Sequence, residues 1–148
     1  MDVVELTRRA EAGSCAAQTA LGLYYLFGYG PIEVDHGKAF RFLSLAAEKG
    51  ASRAIANLGD MYARGLGIPQ DVPKAIELYE RVGRVEFFAA LELGRIYSQG
   101  RGVAADQKKA VEWYFTVIRF ERPEFNYEAL SEELNEAKEY VDRVKDLG

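Results

Sequence analysis

Three Leu-Gly pairs, 37 and 35 residues apart, start a pattern that recurs along this chain of 148 residues. A tyrosine follows each pair by three residues. Next come two glycines around a single residue, then an aspartate, and three residues later Lys-Ala. The Leu-Gly pairs and their tyrosines are Leu21-Gly22 with Tyr25, Leu58-Gly59 with Tyr62, and Leu93-Gly94 with Tyr97. The glycine pairs are Gly28 and Gly30, Gly65 and Gly67, and Gly100 and Gly102. Self-similarity at this period is typical of stacked supersecondary units, so the sequence predicts a solenoid.

Each unit is predicted to be a helix, a glycine-rich turn and a second helix, because small and apolar residues recur at helical spacing. The predicted first helices are Cys15–Phe27, Ser52–Arg64 and Glu86–Gln99, and the second helices are His36–Lys49, Val72–Gly83 and Gln107–Glu121. The first glycine of each turn suits the left-handed position that ends a helix. Asp35, Asp71 and Asp106 suit the N-cap of the next helix. The glycine of each Leu-Gly pair is expected to allow close approach of the paired helix.

Both ends of the chain depart from the repeat. Leu6–Gly13 matches the closing half of a unit, since Ala10-Glu11-Ala12-Gly13 echoes Ala47-Glu48-Lys49-Gly50. After Pro123, a last helix is predicted over Phe125–Leu147, with one apolar stripe that suits a cap on the final repeat. A short dimer-forming seam is the alternative use of that stripe. We therefore expect a single domain, 1–148, divided into a half-repeat (1–14), three repeats (15–50, 51–85 and 86–121) and a capping helix (122–148).

Charge and cysteine content exclude several classes of protein. The net charge is −4, and residues 119–148 alone hold nine acids against five bases. No basic stripe is present to attract phosphate backbones, so nucleic-acid binding is disfavoured. The single cysteine, Cys15, cannot form an internal disulfide. Neither a signal peptide nor a membrane span is evident, so a cytoplasmic location is expected.

Nothing in the sequence predicts an active site. Cys15 and the single histidine, His36, are placed at the starts of different helices, and nothing places them within hydrogen-bond reach. Zinc ligands of the usual kind and spacing are missing. The Gly-x-Gly turns follow helices rather than strands, which is the wrong context for a phosphate-binding loop. We expect no enzyme activity, no metal and no cofactor.

The recurring string of Leu-Gly, Tyr, Gly-x-Gly, Asp, Lys-Ala and an aromatic pair resembles the SEL-1-like repeat, a relative of the tetratricopeptide repeat. The resemblance covers about residues 6–118 and is strongest in the third unit, which ends in Trp113-Tyr114. It implies an all-α, right-handed α/α superhelix that serves as an adaptor or scaffold for other proteins. Some bacterial relatives staple each unit with a disulfide, and the matching cysteines are absent here.

If the first helices line the concave surface, as in tetratricopeptide relatives, fixed positions around each repeat leucine point into the groove. The candidate partner-binding residues are Thr19, Leu23, Leu26, Phe27, Arg53, Asp60, Arg64, Leu91, Arg95 and Gln99. This groove is expected to be apolar at its N-terminal end and cationic along its middle and far wall. The run Leu23–Phe27 is apolar all round, so it is either covered by a neighbouring helix or exposed as an anchor. The arginines are either solvated, paired with Asp60 and Glu92, or directed at a partner's carboxylates.

The function predicted from the sequence is therefore binding of a protein or peptide, as an adaptor or scaffold, through the concave groove. The partner is expected to carry apolar anchors and acidic groups. An immunity or antitoxin-type inhibitor that blocks a bacterial effector is the alternative. A catalytic or an RNA-binding role is less well supported, because no titratable cluster and no basic inner face are apparent.

Overall fold

Helices account for nearly all of the ordered elements in the computed structural model, which describes residues 2–122, 124 and 126–147. No strand occurs within these ranges. The helices are α1 (Val3–Glu11), α2 (Cys15–Phe27), α3 (His36–Glu48), α4 (Ser52–Arg64), α5 (Val72–Val82), α6 (Phe87–Gln99), α7 (Gln107–Arg119) and α8 (Ser131–Leu147), with a short 3-10 turn over Glu128–Leu130. The all-α class predicted from the repeat is confirmed.

The signals that start the second helices act as the sequence predicted. A carboxylate oxygen of each aspartate accepts a hydrogen bond from the backbone N–H three residues later, at 3.0 Å in all three cases. The donors are Lys38, Lys74 and Lys109, which belong to the recurring Lys-Ala pairs. Each bond satisfies one of the backbone donors that the first turn of a helix leaves without a partner.

Glycine ends the first helices and lets the paired helices approach. Gly28, Gly65 and Gly100 have φ values of 73°, 67° and 67°, in the left-handed region. Gly22 has another role: a Cβ there would lie 2.6 Å from Cγ of Leu43 on α3. At Gly94 the same atom would lie 2.9 Å from the ring of Tyr114 on α7. These distances confirm the predicted close approach for the first and third Leu-Gly pairs.

The described chain falls into two compact units, Met1–Leu78 and Tyr79–Gly148, with the boundary inside α5. In unit 1, α1 packs on α2, α2 on α3, and α3 on α4. Leu6 and Ala10 of α1 share a buried cluster with Leu21 of α2 and Phe42 of α3. The predicted half-repeat thus supplies an apolar face that covers the first complete hairpin.

Unit 2 is built around α6, α7 and α8. Its buried cluster comprises Ala90, Leu91, Tyr114, Val117, Leu134, Ala137 and Val141, drawn from all three helices. Three residues of the predicted α8 stripe, Leu134, Ala137 and Val141, are therefore buried within the unit, while Leu130 and Val144 are half-buried. The predicted first residue of this helix, Phe125, and the preceding Pro123 lie outside the described residues. The α-helix begins at Ser131, after the 3-10 turn, which is later than predicted.

Candidate functional site

An exposed apolar surface lies where α2 ends in unit 1. Phe27, Tyr29 and Val34 are 57%, 57% and 55% exposed. The ring centroid of Tyr29 lies 6.3 Å from that of Phe27 and 5.6 Å from that of half-buried Tyr24. Gly28 turns the chain between them, and a Cβ on Gly28 would lie 3.0 Å from Cγ2 of Val34. We call Tyr24, Phe27, Tyr29 and Val34 the aromatic patch.

Three of the predicted binding residues are buried leucines. Leu23 and Leu26 are 7% and 6% exposed, and Leu91 is completely buried. Leu91 belongs to the core cluster of unit 2. The expectation that these side chains face solvent is corrected: all three are buried, because burial removes an apolar side chain from unfavourable contact with water. Of the run Leu23–Phe27, only Phe27 is largely exposed.

The polar candidates of unit 1 remain accessible. Arg53 and Arg64 are exposed on α4, and neither guanidinium has an ion-pair or hydrogen-bond partner among the residues that the structure describes. Asp60 and Thr19 are half-buried. The Thr19 hydroxyl donates to the carbonyl oxygen of Cys15 at 3.0 Å, within its own helix. The two arginines therefore keep the cationic character predicted for this part of the surface.

Arg95 in unit 2 is already engaged by carboxylates. Its Nη2 lies 2.7 Å from Oε2 of Glu136 on α8, and its Nη1 lies 3.0 Å from Oε1 of Glu92. The Tyr114 hydroxyl donates to Glu136 Oε1 at 3.1 Å. The hydrogen bond from Arg95 holds the pKa of Glu136 below its ordinary value, although burial acts in the opposite direction. Burial is the largest cause that raises the pKa of Tyr114 to about 12.

Next to this network, Gln99 lines an open cavity of about 560 Å³ in unit 2. Its acidic lining residues come from α8: Glu132, Glu136 and Glu139. The cationic far wall predicted from Arg95 is therefore corrected, because Glu92 and Glu136 pair with that arginine and three carboxylates of α8 line the neighbouring space together with Arg143. Pairing of Arg95 with Glu92 was one of the alternatives predicted from the sequence, and that contact is present.

The described side chains that could act in catalysis or metal binding do not lie together. The Cys15 thiol lies 3.9 Å from the carbonyl oxygen of Ala46, and His36 lies beside Gly67, where a Cβ would be 2.5 Å from the His36 Cβ. Within residues 2–122, 124 and 126–147, no group of His, Cys, Asp and Glu side chains is arranged to hold a metal ion. Over the same ranges, none of the helices has both the length and the apolar character needed to cross a membrane.

Sequence reasoning missed Tyr29 and Val34, which complete the aromatic patch, and Glu136, which binds Arg95. The two patch residues lie in the turn, while the prediction considered only helix positions. An aromatic residue between the two glycines of the first turn was the available signal. No sequence signal indicated the contact of Glu136 with Arg95, because the two residues are 41 positions apart in the chain.

Capped helical hairpins with a recurrent Leu-Gly contact define an all-α repeat protein of the solenoid class. The Sel1 repeat family model matches residues 15–50, 52–81 and 88–115, which together make up more than half of the chain. The chain therefore belongs to the Sel1 repeat family. Proteins built from this repeat are protein-interaction scaffolds.

Solved structures agree with this assignment. A Sel1 repeat protein from Oxalobacter formigenes is 34% identical, with a TM-score of 0.71 over 96% of this chain and 98% of that chain. A protective antigen of uropathogenic Escherichia coli with an SLR fold is 31% identical, with a TM-score of 0.76 over 82% of this chain and 26% of that chain.

The similar curated proteins are much longer than the matched segment. The ERAD-associated E3 ubiquitin-protein ligase component HRD3A of Arabidopsis thaliana is 39% identical over 42% of this chain and 9% of its own length. Protein sel-1 homolog 2 of Rattus norvegicus is 40% identical over 49% of this chain and 11% of its own length. The similarity thus covers about a tenth of each relative.

Proposed function

We propose that this chain is an adaptor that binds another protein through unit 1, with the aromatic patch as its main apolar contact. The observation that carries the proposal is the exposure of Phe27, Tyr29 and Val34 side by side at the end of α2. Full burial of one large apolar side chain contributes roughly 1.5–3 kcal/mol. The exposed parts of these three side chains would contribute a fraction of that energy each, and aromatic residues are enriched at binding hot spots.

The charged residues of unit 1 define the rest of the proposed surface. Arg53 and Arg64 are exposed and available to a partner's carboxylates. Half-buried Thr19 and Asp60 are the proposed uncharged and acidic members of the surface. On unit 2, Gln99 is exposed and Arg95 retains partial exposure, and we assign them secondary contacts.

Names of relatives support a role in protein assembly. HRD3A is named as a component of a ubiquitin ligase, and DAP3-binding cell death enhancer 1 of Rattus norvegicus, 34% identical over 51% of this chain and 14% of its own length, is named for binding DAP3. An inhibitor that blocks a bacterial effector would use the same surface. The identity of the captured partner distinguishes that alternative from an adaptor.

The proposal is tested by affinity purification from the organism that encodes the chain. We compare wild type with the double variant Phe27→Ala and Tyr29→Ala, and with Arg64→Glu. The matched control is Phe88→Ala, since Phe88 in unit 2 is 55% exposed and lies outside the patch. We expect the double variant to lose the partners that wild type and control both recover, and Arg64→Glu to recover less. Equal recovery by all four proteins would refute binding through unit 1.

A further inference from the structure

A second candidate site lies in unit 2, beside the point where α5 ends. It is a small cavity of about 210 Å³, formed largely by one face of α7. Its lining residues are Arg84, Glu112, Trp113, Phe115, Thr116 and Arg119. None of them belongs to the aromatic patch or to the surface predicted from the first helices.

The aromatic wall of this cavity depends on a glycine. A Cβ on Gly83 would lie 2.5 Å from Cζ3 of Trp113, so the indole rests directly against the backbone at the end of α5. Trp113 is half-buried, and Phe115 is 37% exposed. The cavity therefore combines a fixed indole with a second accessible ring. Trp113 is also the single tryptophan of the chain, which makes it a specific reporter.

Within the described part of the chain, the two arginines of the cavity lack acidic partners. Among the residues placed by the structure, neither Arg84 nor Arg119 makes an ion pair or a side-chain hydrogen bond. By contrast, Arg95 and Arg101 in the same unit both contact carboxylates. Glu112, the acidic lining residue, has no side-chain partner among the described residues either, and with two arginines and one glutamate the lining carries a net charge of one positive unit. The guanidinium fork matches carboxylate geometry and stacks on aromatic rings.

We propose that this cavity binds an acidic side chain of a partner protein together with an adjacent apolar side chain. The carboxylate would lie between Arg84 and Arg119, and the apolar group would pack on Trp113 and Phe115. Small-molecule sites usually enclose about 300–1,000 Å³. This cavity is smaller, at about 210 Å³, and suits one or two side chains. This inference rests on the proposed protein-binding function in one respect: the ligand is taken to be a segment of a protein.

The test uses the intact chain and two synthetic probes, acetyl-Gly-Glu-Leu-Glu-Gly-amide and its analogue with Gln in place of both Glu residues. Binding is followed through Trp113 fluorescence and the Trp113 indole N–H resonance. We expect saturable changes with the acidic peptide and about tenfold weaker binding of the neutral one, since a charge-assisted hydrogen bond is worth about that factor or more. Raising the salt concentration should weaken the acidic peptide selectively.

Variants assign the effect to individual side chains. Arg84→Gln and Arg119→Gln should each weaken the acidic peptide about tenfold, because each removes one guanidinium from the carboxylate. Glu112→Gln should strengthen its binding, because it removes a like charge from the lining. The matched control is Arg81→Gln, since Arg81 is exposed on α5 and does not line the cavity. It should leave the affinity unchanged.

Three results would overturn the site: no Trp113 response at millimolar peptide, equal affinity for both peptides, or equal losses in the Arg81 and Arg84 variants. The double variant Phe27→Ala and Tyr29→Ala should bind the acidic peptide as wild type does. Because that variant tests the aromatic patch separately, the failure of one site is distinguishable from the failure of the other.

Discussion

The guanidinium of Arg95 on α6 donates to both carboxylate oxygens of Glu136 on α8, from Nη2 to Oε2 at 2.7 Å and from Nε to Oε1 at 3.0 Å. A two-point contact of this kind fixes orientation as well as distance. Both side chains are about one-third exposed, so solvent only partly screens the pair. The contact ties α8 to α6 within unit 2, in addition to the apolar stripe of α8.

The first prediction concerns the stability that this contact provides. Glu136→Ala leaves the Arg95 guanidinium without its main acceptor and removes the acceptor of the Tyr114 hydroxyl. We expect the free energy of unfolding to fall by about 1–2 kcal/mol, the cost of leaving partly buried donors unsatisfied. A double-mutant cycle with Arg95→Ala, measured by urea denaturation, should give a favourable coupling energy.

The control for that cycle is the surface pair Arg8 and Glu5, which are separated by 2.7 Å but have side chains 69% and 46% exposed. Exposed pairs contribute little to stability, because solvent screens the two charges. Glu5→Ala should therefore cost less than Glu136→Ala. Additive effects of the Arg95 and Glu136 substitutions would contradict the role assigned to their contact.

The second prediction is a loss of stability in acid. The pKa of Glu136 is lower in the folded protein than in the unfolded chain, so the unfolded chain binds more protons in the pH window between the lowered value and the ordinary value of 4.5. The stabilisation by this carboxylate is therefore fully present above the ordinary value and is lost as pH falls through the folded value. Glu136→Gln should flatten this part of the curve of unfolding free energy against pH. A curve of unchanged slope would argue against the shift.

Local signals explain why the helices were predicted well. The N-cap aspartates and the helix-ending glycines act within a few residues of the chain, so the sequence alone identifies them. Predicted and observed boundaries agree at Cys15–Phe27 and Ser52–Arg64. The later start of α8 also has a local cause. The Asn126 side chain accepts a hydrogen bond from the Glu128 backbone N–H at 2.9 Å, which favours a turn before the helix.

Tertiary contacts explain what the sequence did not reveal. Whether Leu91 faces solvent or the core depends on α7 and α8, which follow later in the chain. The buried Gln18 is a further example: its side-chain amide donates to the carbonyl oxygen of Ala10 at 3.1 Å and so ties α2 to α1. A polar residue in an apolar helix gives no sign of such a partner, because the partner is a backbone group.

The third prediction tests the close approach of α2 and α3. Gly22→Ala would place a Cβ 2.6 Å from Cγ of Leu43, a side chain that is fully buried and has little room to move. We expect a cost of about 1–3 kcal/mol from overpacking. Gly37→Ala is the control, because its Cβ would meet only Asp35 Oδ1, at 3.4 Å. That change should be neutral or stabilising, since alanine favours a helix by up to about 1 kcal/mol over glycine.

Thermal and urea unfolding of the two alanine variants measure this difference directly. If Gly22→Ala were as stable as Gly37→Ala, the Leu-Gly glycine would have no packing role in this hairpin.

The last prediction concerns α8 as the cover of unit 2. Leu134 is 3% exposed and lies in a cluster with Leu91, Tyr114 and Val117. Leu134→Ala should lower the unfolding free energy by about 2–5 kcal/mol, because it removes buried methyl groups and leaves a cavity. Leu147→Ala is the matched control, since Leu147 is on the same helix but 78% exposed, and the change there should be small.

Removing residues 131–148 should expose the cluster and cause concentration-dependent association, measured by size-exclusion chromatography with light scattering. If the truncated chain stayed monomeric and kept its melting temperature, the apolar faces of α6 and α7 would not need α8 as a cover, which would contradict the prediction.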